Sequence, residues 1–174
     1  MKRIGWIIVF ILFLITAFAC SGTKEVKQSD EERIKIFILT DIGNPEEIPE
    51  VLYANRRVFR VEMERDLIKM LKKKGYDATY IEKHDKYIPG PRKYLLKITI
   101  LSQHTVPNSA RFWSGRIAGA DTLINRYEFF GEAEEPLFDY EEGSGSTTSM
   151  QRNAIKLNKN AVRKITEKMN EMHR

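Results

Sequence analysis

Arg33-Ile34-Lys35-Ile36-Phe37-Ile38-Leu39-Thr40 sets Ile34, Ile36 and Ile38 on one side of an extended chain and Lys35, Phe37 and Leu39 on the other. A run that is apolar on one side and mostly apolar on the other suits a central strand buried on two faces. Asp41-Ile42-Gly43-Asn44-Pro45 breaks it, and beyond Pro49 the spacing changes from two to three and four. Leu52, Phe59, Met63, Leu67 and Met70 recur at helical intervals, and Lys72-Lys73-Lys74-Gly75 puts cations on the carbonyl end with a glycine at the cap. The spacing predicts a helix from Pro49 to Lys74. Arg56 and Arg60 fall within about 60° of its apolar stripe at 100° per residue, so the first turns either overhang the sheet or send these arginines to solvent or carboxylates.

Further along, Tyr76 to Glu82 reads as a second strand and His84 to Arg92, with Pro89-Gly90-Pro91, as an irregular loop. Tyr94 to Gln103 (YLLKITILSQ) is the strongest strand signal in the chain. A loop over Thr105 to Ser114 leads into Arg116 to Phe130, read as one long strand whose small residues allow close backbone approach. Glu132 to Pro136 is a turn, Leu137 to Glu142 the returning strand, and Gly143-Ser144-Gly145-Ser146-Thr147-Thr148 a flexible linker. Ser149 is placed to cap a last amphipathic helix on Ala154, Leu157, Ala161, Ile165, Met169 and Met172. The expected fold is α/β (α+β): a mixed sheet of about five strands with two long helices in the order β-α-β-β-β-β-α. No internal repeat interrupts it.

The first twenty residues belong to a different class. Met1-Lys2-Arg3 precedes an apolar run from Ile4 to Ala19, sixteen residues interrupted only by Gly5 and Thr16. This is the charged and apolar pattern of an export signal, and it is short of the roughly 20 residues that span a bilayer core. It stops at Ala17-Phe18-Ala19-Cys20-Ser21-Gly22, with small residues three and one positions before the cysteine, which resembles the lipobox of bacterial lipoproteins. That resemblance departs from the usual pattern, which has Leu where Ala17 stands and a small residue where Phe18 stands. It implies cleavage before Cys20, a diacylglycerol thioether on its sulfur and usually an acylated amine; two or more chains anchor stably where one is marginal. The other reading of Cys20 is an ordinary cysteine beside a short uncleaved anchor helix. Ser21 is not the Asp that retains lipoproteins at the inner membrane of Gram-negative cells, which favours the outer membrane, facing the periplasm. Gly22 to Glu32 is polar apart from Val26 and reads as a tether. The expected organisation is thus a signal over 1–19, a lipidated tether over 20–32 and a single domain over 33–174.

Composition agrees with one globular domain. The chain has 174 residues, 42% hydrophobic and 30% charged, which excludes collagenous, mucin-like or wholly disordered polymers. Cys20 is the only cysteine, so no internal disulfide and no cysteine-based zinc site exist. The formal charge of +5 falls to +3 once Lys2 and Arg3 leave with the signal, too little to argue for nucleic acid, and export argues against that partner further.

The buried first strand, the long helix ending in a Lys-rich turn and Gly75-Tyr76, the Tyr94-Leu95-Leu96-Lys97-Ile98 strand, the Arg111 to Ala120 segment and the last amphipathic helix together resemble a family of uncharacterised bacterial lipoprotein domains. That family is distantly similar to the periplasmic domain of the curli-secretion lipoprotein and to the N-terminal domain of TolB. The resemblance covers about residues 33 to 172, rests on small and apolar patterns, and supplies no catalytic residues; it implies an envelope binding or assembly role.

Read for chemistry, the sequence has no HExxH, GxSxG, Walker loop or dinucleotide fingerprint, and no catalytic residue, metal site or cofactor is expected. His84 beside Asp85 reads as a surface histidine, because neighbours at a strand end point apart. Glu132, Glu134, Glu135, Asp139, Glu141 and Glu142 lack the spacing of a calcium loop and read as a solvated hairpin. Arg111, Phe112, Trp113 and Arg116 combine the residue types that dominate protein-binding hot spots, although Trp113 equally suits a plug at one end of the core. Arg152, Lys156, Lys159 and Arg163 fall within about 60° of one another on the last helix, a basic stripe suited to anionic headgroups or an acidic partner and equally to plain solvent. The expected role is a non-catalytic binding or assembly module with a membrane anchor and an envelope protein partner. The alternatives are an enzyme on glycan or lipid using Asp121 and Glu128, whose separation of seven puts them on opposite faces of a strand, and a protein that only stiffens a larger complex.

Overall fold

The computed structural model describes residues 33–107 and 119–172. Strand β1 (Lys35–Asp41) leads through helix α1 (Glu50–Lys73) to β2 (Asp77–Tyr80); a short 3-10 turn (His84–Lys86) precedes β3 (Lys93–His104), β4 (Asp121–Phe130), β5 (Pro136–Ser146) and helix α2 (Met150–Met172). This is the α/β order read from the sequence. The strands form one sheet in the order β2-β1-β3-β4-β5. β1 runs parallel to β2 and to β3, whereas β4 is antiparallel to both β3 and β5.

Strand alternation decides where the core sits. Ile36 and Ile38 of β1, Leu96 and Ile98 of β3, and Leu123, Tyr127 and Phe129 of β4 have no solvent exposure and point to the face that both helices cover. α1 brings Phe59, Met63, Leu67 and Leu71 to this layer and α2 brings Leu157, Ala161, Ile165 and Met169. Burial of this many large apolar side chains, each contributing about 1.5–3 kcal/mol, is what holds the two layers together. On the other face, a smaller cluster lies over the parallel strands and the end of β4. There Tyr87 packs edge-on against Phe37, 5.7 Å between centroids, with Ile81 and Leu95 beside it. Its hydroxyl donates to the Gly131 carbonyl at 2.8 Å. β1 is therefore buried on one face and only half-buried on the other, where its composition predicts burial on both; Lys35, Phe37 and Leu39 keep part of their surface exposed.

α1 ends as its sequence predicts. Gly75 takes a φ of 88°, Tyr76 N–H donates to the Leu71 carbonyl at 3.2 Å and Gly75 N–H to Lys72 at 3.0 Å, the paired bonds of a Schellman cap. Ser149 Oγ accepts from the Arg152 N–H at 3.4 Å at the start of α2.

The structure corrects three local expectations. β2 is confined to Asp77–Tyr80. β4 starts at Asp121 and not at Arg116; Gly119, with a φ of 89°, lies in the left-handed region just ahead of it. Gly143-Ser144-Gly145-Ser146 is no linker, because β5 runs through Ser146 with these four residues opposite Ile124, Leu123, Thr122 and Asp121. A ready-made partner strand and a buried bond from Ser144 Oγ to Asn153 Oδ1, 3.1 Å, outweigh the poor strand propensity of glycine and serine.

Candidate functional site

The carboxyl end of α1 and the middle of α2 lie side by side and leave a groove between them of about 510 Å³. Met70, Lys73 and Lys74 line it from α1, and Lys159, Val162, Arg163, Thr166 and Glu167 from α2. The helical repeat explains the choice: 159, 162, 163, 166 and 167 follow three- and four-residue steps along one side of α2. Val162 is buried and Met70 half-buried, giving an apolar floor. The Thr166 hydroxyl is taken up by its own helix, donating to the Val162 carbonyl at 2.8 Å. Arg163 Nη1 reaches both Glu167 carboxylate oxygens at 2.9 and 3.0 Å. Among the described residues no carboxylate pairs with Lys73, Lys74 or Lys159. The groove thus sets four cations around an apolar strip with a single anion.

A second polar cluster closes the carboxyl end of β1. Arg56 is 5% exposed, and its Nη1 donates to the Ile42 carbonyl at 2.8 Å. Burial lowers its pKa, opposed by Asp41. The sequence left open an overhang of the first turns or a reach to solvent or carboxylates; Arg56 is buried, its hydrogen bond goes to a backbone oxygen, and the Asp41 carboxylate acts on its charge. Gly43, with a φ of 93°, gives the guanidinium room, since a Cβ there would stand 3.2 Å from Nη1. One turn on, Arg60 lies over the Tyr80 ring at 5.3 Å and 3.7 Å from Glu64 Oε1. Burial pushes the Glu64 carboxyl up, and the Thr40 hydroxyl and Arg60 pull it partly back. Thr40 Oγ1, Arg56 Nε, Arg60 Nε and Glu64 Oε1 are buried without a hydrogen-bond partner among the described residues, so it is the bond from Arg56 to the Ile42 carbonyl that fastens α1 to the end of β1.

The residues singled out by sequence are distributed as follows. Cys20 and the segment with Arg111, Phe112, Trp113 and Arg116 lie outside the described residues. Arg152, Lys156, Lys159 and Arg163 are all exposed on α2, but only Lys159 and Arg163 border the groove. Asp121 and Glu128 stand on opposite faces of β4: Asp121 Oδ1 is buried and accepts from the Val106 N–H at 2.8 Å, whereas Glu128 meets Lys97 at 2.8 Å on the outer face. His84 and Asp85 are exposed in the 3-10 turn. Of the acidic hairpin, Glu141 pairs with Arg126 and Glu142 accepts from Asn160 Nδ2. Among the described residues no group of three or more His, Cys, Asp or Glu is placed to hold a metal ion. Sequence reasoning missed Met70, Lys73 and Lys74 as site residues. Their signal was present as a stripe position and a helix-end lysine run, each with its own ordinary explanation.

No family model and no curated protein sequence matches the chain. Among solved structures it is similar to the PelC dodecamer from Paraburkholderia phytofirmans, at 10% identity over 71% of this chain and 81% of that one, with a TM-score of 0.45. A variant of the same PelC gives 12% identity over 71% and 79%, with a TM-score of 0.44. A homologue of the neuraminyllactose-binding hemagglutinin from Helicobacter pylori gives 12% identity over 87% and 88%, with a TM-score of 0.36.

Proposed function

We propose that this chain is a lipid-anchored lipoprotein of the bacterial cell envelope that works as a binding or assembly module without chemistry of its own. The observation that carries the reading is the position of Cys20: the single sulfhydryl of the chain falls where a sixteen-residue apolar run stops, after Ala17-Phe18-Ala19 and before a polar tether. Acyl chains on that sulfur hold the domain at the outer membrane, on its periplasmic side, where Arg111, Phe112, Trp113 and Arg116 are the residues offered to a protein partner. The resemblance read in the sequence over about residues 33 to 172 implies the same role. The carboxylates of the enzymatic alternative, Asp121 and Glu128, are separated by the sheet itself, an arrangement unsuited to a shared substrate.

Cys20→Ser tests the anchor. Mass spectrometry of the native chain is expected to find an acylated N-terminal cysteine, and the variant to lose both acylation and stable membrane association. A native chain with its leader intact and a free thiol overturns the reading. Partner capture from detergent-solubilised envelope is expected to weaken with Trp113→Ala and with Arg111→Ala; unchanged partners in both remove this segment from the proposal.

A further inference from the structure

The groove between the helices brings together two basic features that have separate explanations when taken alone. Lysines in the last turn of α1 complement its negative carbonyl end, which accounts for Lys73 and Lys74. Lys159 and Arg163 lie in the middle of α2, far from either terminus, and the helix dipole does not account for them. Packing then turns both pairs toward one strip of apolar surface, Met70 and Val162. The one carboxylate present, Glu167, is paired with Arg163 through side chains that are 54% and 58% exposed. Such a solvated pair holds weakly, so Arg163 is free to exchange it for a better anion.

We propose that this groove binds a phosphate-headed lipid. Lys73, Lys74, Lys159 and Arg163 hold the phosphate, and the first methylenes of the acyl chain lie on Met70 and Val162. Charge complementarity selects an anion, and the apolar floor selects one that carries hydrocarbon next to its charge. Among the described residues no aromatic side chain lines the groove, which argues against a nucleotide base stacking there. The inference stands on the groove alone and does not require lipid on Cys20.

Native mass spectrometry of the full chain in nonionic detergent tests it, with dioleoyl phosphatidic acid or dioleoyl phosphatidylcholine added to the micelles. One phosphatidic acid is expected to remain bound under conditions that strip phosphatidylcholine. Lys159→Gln with Arg163→Gln is expected to weaken this binding roughly tenfold or more. Arg152→Gln with Lys156→Gln removes the same charge from the same helix outside the groove and is expected to leave binding unchanged. Met70→Gln is expected to weaken phosphatidic acid further, without a change in circular dichroism. Equal retention of the two lipids, or equal losses in the two double variants, overturns the proposal. So does full displacement by inorganic phosphate, or by a Glu-rich peptide, at concentrations equal to that of the lipid. The mass of the chain in the same spectra reads the state of Cys20 separately, so failure of the anchor and failure of the groove are distinguishable.

Discussion

α1 and α2 are almost equal in length, 24 and 23 residues, yet they meet the sheet in different ways. α1 lies over the parallel strands β1 and β2, and α2 over the antiparallel strands β4 and β5. α2 sorts its residues cleanly: Leu157, Ala161, Ile165 and Met169 go inward and the charged residues outward. α1 does not. It buries Arg56 and Glu64 while Val51, Val58 and Val61 stand 56–74% exposed. The polar residues each helix buries also differ in kind. α2 buries Asn153, whose Nδ2 donates to the Asp121 carbonyl at 2.7 Å, and Asn158, whose Nδ2 donates to the Met63 carbonyl of α1 at 2.9 Å. Neutral amides reach backbone oxygens without the desolvation cost of a charge, whereas α1 takes a guanidinium and a carboxyl into the same layer. α2 is oriented by its apolar stripe; α1 has a stripe of its own in Phe59, Met63, Leu67 and Leu71 and is oriented in addition by the partners of its buried polar groups.

The comparison breaks first at the core. Leu157→Ala on α2 and Leu67→Ala on α1, both fully buried, are expected to cost about 2–5 kcal/mol each in chemical denaturation. A loss confined to Leu157 would mean that α1 is held by its polar contacts alone. Next in size are the polar anchors. Asn153→Ala abandons the Asp121 carbonyl and Ser144, and Arg56→Met abandons the Ile42 carbonyl; each is expected to cost about 1–3 kcal/mol, read as a shift in denaturation midpoint.

Glu64→Gln sharpens the contrast through pH. Burial raises the folded carboxyl above its unfolded value of about 4.3, so folding favours the protonated form. The native chain is therefore best placed relative to the variant below about pH 4.3, and it loses that advantage as pH rises through the raised folded value. Urea unfolding of both proteins between pH 4 and 8 checks this; a difference independent of pH removes the titration. The smallest effect is expected at Val58→Lys, within about 0.5 kcal/mol, because this valine is 69% exposed. A large loss there would reveal that this face of α1 is covered in the native assembly.

How far each region was legible follows the same division. Most of the α2 stripe was readable, down to the Ser149 cap, because a single period explains it; Met172, 38% exposed, falls short of the buried set, and Asn153, Asn158 and Val162 join it unforeseen. For α1 the stripe through Phe59, Met63 and Leu67 and the Gly75 cap were readable, but not the fate of Arg56, whose partner is a carbonyl of a loop 14 residues earlier. The extension of β5 through Ser146 escaped local propensity because β4 supplies the pairing.

The sequence by itself determined the elements, their order, the two sides of β1 and most inward residues of α2, since alternation of two and a repeat of three to four are properties of the backbone that any apolar layer must obey. It also marked Cys20 and the basic stripe on α2. Only the tertiary structure decided that Lys159 and Arg163 of that stripe meet Lys73 and Lys74 across an apolar floor while Arg152 and Lys156 do not. The physical reason is that a groove belongs to no single period: it exists where two helices are packed side by side, and which residues border it is set by how far along each other they are placed.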